Sequence, residues 1–272
     1  MRQFSASPRA LAASLRDNAG LVRSLVVREV LGRYRGSMLG VLWSFLNPVF
    51  MLAVYTFVFG VVFKARWSAG TGSTAEFALA LFIGLIAFNL FAECINRAPS
   101  LVLANANYVK KVVFPLEILP VVGLGAAFFH ALVSFLVWAL FFALAFGLPP
   151  PTFAWLPVIV APLLLITLGV SWLLASLGVY LRDVGQVTAL FTTALMFLSP
   201  VFYPAASLPG RLQTLFRLNP LTPVIEMLRD AMMWGRSPSL FMLATSYAVG
   251  LVLAMLGFAW FQKTRKGFAD VL

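Results

Sequence analysis

Six long apolar blocks follow one another along the chain, at 38–63, 77–95, 116–146, 155–181, 187–202 and 239–261. Short polar or Pro/Gly-rich stretches separate them. A helix of about 20 apolar residues crosses the roughly 30 Å hydrocarbon core of a bilayer. Backbone polar groups in lipid must be satisfied by the backbone itself, which leaves helices and closed barrels as spanning forms. A barrel strand alternates polar and apolar residues, and these blocks do not alternate. The pattern therefore predicts an all-α, polytopic membrane fold with about six transmembrane helices. Pro48 predicts a kink in the first block, tolerable where Ser44 or a neighbouring helix satisfies the freed carbonyl. The third block is long enough to tilt, or to break near Gly123 and Gly125.

A different periodicity precedes the first block. Residues 8–32 read as an amphipathic helix, with Ser7 placed to cap it and Pro8 at the first helical position. Arg9, Arg16 and Arg23 recur every seven residues and share one face, while Leu11, Leu15, Val22 and Val26 share another. Such a helix lies in the membrane interface, and Gly20 is where it would break. The chain divides accordingly into a cytoplasmic interface segment, 1–36, and a transmembrane unit, 37–272. The mixed residues before the first block do not have the form of a secretory signal, so the whole chain is expected to persist. Two connections stand out: the polar segment 96–115, and the loop 203–238, which is apolar for a loop.

Composition agrees with the blocks: 61% of residues are hydrophobic and 11% charged, against about 25% charged in a soluble domain. The net charge of +11 fits loops facing the cytoplasm and anionic headgroups, and no basic cluster interleaved with aromatics points to nucleic acid. With the N-terminus inside, Lys64, Arg66, Arg211, Arg217, Arg229 and Arg236 fall outside and the other fourteen of the 20 Lys and Arg fall inside. That split places both termini in the cytoplasm, as an even number of spans requires.

Candidate chemistry is sparse. The sequence has no phosphate-binding loop, no His-Glu-x-x-His and no Gly-x-Ser-x-Gly. A single Cys94 excludes an internal disulfide and a cysteine metal site. The one histidine, His130, sits inside an apolar block and reads as packed or hydrogen-bonded rather than as a ligand. Glu93 and Glu117 lie near span ends and read as snorkelling to the interface; the alternative is a functional carboxylate at membrane depth. With few ionisable groups near the midplane and no nucleotide site, the energy for transport is expected from a partner. The 26 Phe and seven Trp read as core and interface belts, or as rings on which a sugar could slide.

Three motifs carry a resemblance. Arg33-Tyr34-Arg35-Gly36-Ser37-Met38-Leu39-Gly40-Val41-Leu42-Trp43, followed by Asn47-Pro48, is the first. The second runs from Asn105-Ala106-Asn107-Tyr108-Val109-Lys110-Lys111 to Phe114-Pro115 and Glu117-Ile118-Leu119-Pro120, and the third is Leu218-Asn219-Pro220-Leu221-Thr222-Pro223. In this order and spacing they resemble the polysaccharide-exporting ABC-2 permeases, the family of O-antigen, capsule and teichoic-acid exporters. The resemblance implies a transport subunit in the inner membrane, not an enzyme. Two copies would pair, and each would dock a separate ATPase that binds ATP and Mg, with no cofactor in this chain. The substrate implied is a lipid-linked polysaccharide, O-antigen first. By that likeness Asn105, Asn107, Tyr108, Lys110 and Lys111 form a coupling helix against the ATPase. The loop 203–238 holds re-entrant gate helices, with Tyr203, Phe216, Asn219 and Pro220 as gate residues. Arg28, Arg33, Tyr34 and Arg35 are candidates for the carrier's pyrophosphate, since guanidinium forks match phosphate oxygens; binding of headgroups or of the ATPase is the competing role. Export of capsule, teichoic acid, another lipid or a drug is an alternative, as is, from another class, a membrane-embedded glycosyl or prenyl transferase.

Overall fold

The computed structural model describes residues 7–63, 72–111, 114–207, 209–210, 213, 216 and 218–272, without the side chains of Lys110, Lys111 and Ala206. Regular structure among these residues is helical throughout. Ser7 caps α1 (Pro8–Asp17), its Oγ accepting from Ala10 N at 3.2 Å. The chain breaks at Asn18 rather than at Gly20. The Asn18 amide donates to Ser14 O at 2.7 Å, a local bond that competes with helix. Gly20 stays helical inside α2 (Ala19–Arg33).

α3 (Trp43–Tyr55) follows a 3₁₀ turn at Gly40–Leu42 and runs into a π turn at Thr56–Val62. Pro48 sits within α3, and Ser44 Oγ donates to Val41 O instead of serving the carbonyl that Pro48 frees. α4 (Thr74–Ala104) opens on a Ser73 cap and passes Pro99, so the predicted second span extends well into the segment read as polar. Every residue of α4 from Glu76 to Phe88 is buried, which makes this helix the axis of the fold. The short α5 (Ala106–Lys111) leads to α6 (Ile118–Phe146). α6 runs through Gly123 and Gly125 without a break and stops at Gly147, whose φ of 88° suits glycine. Gly125 instead seats α2: a Cβ there would lie 2.7 Å from a Val26 methyl. Leu25 of α2 packs with Ile118 and Val122 beside it.

A 3₁₀ turn at Pro151–Trp155 precedes α7 (Leu156–Tyr180), and α8 (Val184–Phe197), α9 (Leu221–Met233), α10 (Leu240–Thr264) and α11 (Phe268–Val271) complete the chain. Among the described residues, five segments are long and apolar enough to cross a membrane: Gly40–Val62, Thr74–Ala104, Ile118–Phe146, Pro151–Tyr180 and Leu240–Val271. The block at 187–202 yields a helix of 14 residues, shorter than the roughly 20 of a full span, but with the turn that follows it runs alongside α4 from Asn96 to Gly84. Its end has a local cause: Pro200 lacks an N–H and pushes Ser199 away from helical geometry. The chain turns there, and the Tyr203 hydroxyl donates back to Phe197 O.

Small residues set the packing, as in other helical membrane proteins. α7 and α10 cross backbone to backbone at Gly169 and Gly257, and α7 meets α4 where Gly178 touches Pro99. Trp138 of α6 donates to Leu79 O of α4 at 3.1 Å. The C-terminal residues are docked. Phe268 is fully buried against Phe261, and the Tyr180 hydroxyl donates to Thr264 O at 2.7 Å.

Candidate functional site

Helices α2 and α5, the last turns of α4 and the C-terminal residues gather at one end of the bundle. Arg33 pairs with Glu93 at 2.5 Å, and Arg97 pairs with Glu29 while lying 3.9 Å from Glu93. The alternating charges tie α2 to α4 at two points one turn apart. Arg28 donates to the Tyr108 hydroxyl at 3.3 Å, and the Tyr108 ring stacks on Phe114 with centroids 4.4 Å apart. Asn105 closes α4, its amide donating to Leu101 O at 2.8 Å. Of the residues predicted to couple to a partner, Asn105 and Tyr108 therefore hold α5 in place. Asn107 is exposed, and Lys110 and Lys111 close the helix with side chains outside the described set.

Glu117 is a buried junction at the same end. Its carboxylate takes Arg265 at 2.6 Å and the Ser14 hydroxyl at 2.8 Å, and Arg265 also donates to Phe114 O at 2.7 Å. The Trp172 indole donates to the Glu117 backbone carbonyl at 2.9 Å. One carboxylate thus joins α1, the start of α6 and the C-terminal turn. Both span-end glutamates are ion-paired to arginines rather than reaching for water.

Beside this end lies a cavity of about 410 Å³ between the end of α2, α3, α4 and α6, lined among others by Arg33, Tyr34, Asn47, Asn89, Glu93 and His130. The Tyr34 hydroxyl and His130 Nδ1 are 3.3 Å apart, so the lone histidine is hydrogen-bonded. Burial pushes the Tyr34 phenol above its usual range, against the pull of the Arg33 guanidinium. Arg35 is exposed, and its guanidinium makes no hydrogen bond or ion pair with another described residue. The structure therefore separates the predicted phosphate candidates: Arg28 and Arg33 are engaged and Arg35 is open.

At the opposite end, Tyr203, Phe216, Asn219 and Pro220 come together. The rings of Tyr203 and Phe216 lie 6.0 Å apart, and Phe216 is buried. The Asn219 amide donates to Ser199 Oγ at 2.8 Å and to Leu198 O at 3.2 Å, and its oxygen accepts from Leu221 N. Pro220 is the N-cap of α9. The residue that organises this end is Arg229, counted from sequence as an outside loop charge but only 2% exposed. It donates to Ala80 O at 2.8 Å and to Pro200 O and Val201 O at 2.5 Å each. Gly84 makes the room, since a Cβ there would lie 2.5 Å from the guanidinium. On the next residue, burial pushes the Asp230 carboxyl up, while Arg236 and Arg229 pull it back.

Sequence reading missed Arg229, Arg265 and the pairing of Glu117. For Arg229 a signal existed: it stands four residues after Ile225 and eight after Leu221, on the apolar face of α9. For the Glu117–Arg265 pair none did, because the partners are separated by most of the chain.

The sequence is similar to those of known proteins. The O-antigen export system permease protein RfbA of Klebsiella pneumoniae is 26% identical over 267 residues, covering 96% of this chain and 100% of its own. The protein of that name from Myxococcus xanthus is 29% identical over 263 residues, covering 96% and 98%. The polysialic acid transport protein KpsM of Escherichia coli is 25% identical over 217 residues, covering 79% and 81%. The ABC-2 type transporter family matches residues 20–233. That match opens on the second residue of α2 and closes on the last of α9, taking in the charged end, the cavity and the Arg229 junction: the chain belongs to the ABC-2 type transporter family.

Proposed function

We propose that this chain is the membrane subunit of an ATP-driven exporter that carries a lipid-linked polysaccharide, O-antigen first, from the cytoplasm across the inner membrane. Two copies form the pathway, each docking a separate ATPase chain that binds ATP and Mg, with both termini of each permease in the cytoplasm. The observation that carries the reading is the setting of α5, a short helix between two spans. Tyr108 is held by Arg28 on one side and Phe114 on the other. Behind them stand the charge network of α2 and α4 and the Glu117–Arg265 junction. A push on α5 is thereby passed to the interface helix, the second and third spans and the C-terminal turn together. Closure of the ATPases would act through α5 and open the pathway between the two copies. The near-full-length likeness to proteins named for O-antigen export supports the substrate. The open Arg35 is the best placed of the basic candidates for the carrier's diphosphate, with Arg28, Arg33 and Tyr34 as its support. A second reading, export of a capsule polymer, is favoured by the likeness to KpsM.

The test is reconstitution with the candidate ATPase subunit in vesicles. Lipid-linked O-polysaccharide should stimulate ATP hydrolysis and reach the vesicle lumen. Hydrolysis indifferent to the glycan, with no glycan transferred, would reject the reading; stimulation by a capsule polymer alone would move it to the second.

A further inference from the structure

We infer that the cavity between α2, α3, α4 and α6 is a binding site for a neutral polyhydroxyl group, a single sugar ring at the lipid-bearing end of the polymer; this rests on the function proposed above. Four observations carry it. First, the volume of about 410 Å³ falls in the 300–1,000 Å³ range of small-molecule sites. Second, polar side chains are brought together at membrane depth, where they are costly and mark function. Asn47 comes from the first span, Asn89 from the second, and His130 and Ser134 from the third.

Third, the two amides are unspent. Asn89 is exposed at the end of the run from Glu76 to Phe88 that is buried without exception, and Asn47 is exposed on α3. Neither side chain makes a hydrogen bond to another described residue. Each amide can donate twice and accept twice, which suits hydroxyls that also do both. Phe82, Ile86 and Met51 supply an apolar wall, as the C–H face of a sugar requires.

Fourth, the cavity is balanced in charge. Among the described residues of its lining, the one cation, Arg33, is paired with the one anion, Glu93, at 2.5 Å. A phosphate entering would meet a carboxylate and no free guanidinium. The open cation is Arg35, two residues further along the chain. The chemistry therefore divides a lipid diphosphate sugar in two: the diphosphate toward Arg35, the first ring into the amide-lined cavity. Specificity for the sugar at this position would be read by Asn47, Asn89 and His130.

Two probes separate this from simple phosphate binding: a polyprenyl diphosphate bearing one hexose, and the same polyprenyl diphosphate without it. Titrated into the purified permease–ATPase complex, the hexose-bearing probe should bind more tightly. Asn89→Leu and Asn47→Leu place an apolar residue at membrane depth and should each narrow that preference by about fivefold, the worth of a hydrogen bond or so. Equal binding of both probes by the unsubstituted complex would mean the cavity holds only water. Undiminished preference in both variants would mean the sugar is read elsewhere. Either overturns the inference and leaves the proposed function standing. If neither probe binds and lipid-linked glycan does not stimulate hydrolysis, the proposed function falls and the inference with it.

Discussion

Replacing Arg229 with methionine isolates the contribution of the buried junction at the end of the bundle that holds Tyr203 and Asn219. Methionine keeps the length and the apolar stem and removes three donated hydrogen bonds, to Ala80 O, Pro200 O and Val201 O. Ala80 O lies inside α4 and keeps its place in the helical ladder. Pro200 O and Val201 O lie in a turn, with no other donor among the described residues. Each buried acceptor left unsatisfied costs about 1–3 kcal/mol, so the turn should lose about 2–6 kcal/mol of local stability. At 1.4 kcal/mol for each factor of ten, hydrogen exchange at residues 198–205 should quicken by about thirtyfold at the low end. Arg229→Lys should fall between, because a single ammonium cannot reach oxygens on two elements at once. Arg236→Met is the control: its pair with Asp230 is 3.6 Å long with the Arg side chain 61% exposed, worth about 1 kcal/mol at most. The assay is exchange followed by mass spectrometry on detergent-purified protein. If the Arg229→Met turn exchanges as slowly as the parent while the protein remains folded, the guanidinium is not what holds it.

Three further outcomes test other joints. Glu117→Gln and Arg265→Gln should each destabilise the protein by about 3 kcal/mol, since each strands a nearly buried charge; in thermal unfolding the double change should cost less than the sum by about 1–3 kcal/mol, and simple additivity would contradict the pairing. Gly169→Ala should lower thermal stability because its Cβ would meet the Leu253 carbonyl at 2.4 Å, whereas Gly123→Ala meets nothing within 4 Å and should be neutral or stabilising by about 1 kcal/mol. Reversing Lys110 and Lys111 to Glu should abolish co-purification with the ATPase subunit, and the coupling role of α5 fails if both co-purification and export persist.

The elements were legible in the sequence where a local signal set them. Ser7 and Pro8 gave the start of the interface helix, Gly147 the end of the third span, and block length five of the spans. The short α8 was not legible from hydropathy, because Val201 and Phe202 continue the apolar run after Pro200 has ended the helix. The polar reading of 96–115 erred in the other direction: Asn96, Arg97 and Ser100 are polar yet helical, their side chains turned to Thr192, Glu29 and the Arg97 carbonyl. A motif marked Tyr108 and Asn219, and both are held by hydrogen bonds in the fold. The pairing of Glu117 with Arg265 runs across the fold and leaves no local mark in the sequence. A charge count could not foresee that Arg229 would be enclosed, because counting assigns every arginine between spans to water.

Apolar character alone does not decide which spans are inside. The most apolar 18-residue stretches of the first span, Gly40–Val62, and the second, Thr74–Ala104, have mean hydropathies of 2.0 and 2.2, yet 6% of the first stretch and 83% of the second is buried within the chain. In lipid, leucine gains little by leaving the acyl chains for a neighbouring helix, so close packing and hydrogen bonds choose the neighbours. The second span has what that choice needs: Gly84 under Arg229, Pro99 against Gly178, and carbonyls of Leu79 and Ala80 taken by Trp138 and Arg229. The first span offers Phe50, Phe57 and Val61 outward, and α8 offers Leu190, Phe191 and Phe197 while turning Thr188 and Thr192 inward. These two helices are held least within one chain. A conformational change that slides them past lipid or past a second copy breaks few hydrogen bonds, whereas one that moved α4 against α7 would have to part backbone from backbone at Gly178 and Pro99, and one that moved it against α9 would break the bond from Arg229 to Ala80 O. The fold therefore confines easy motion to α3 and α8, the helices that border the polar face of α4 at Asn89 and Asn96.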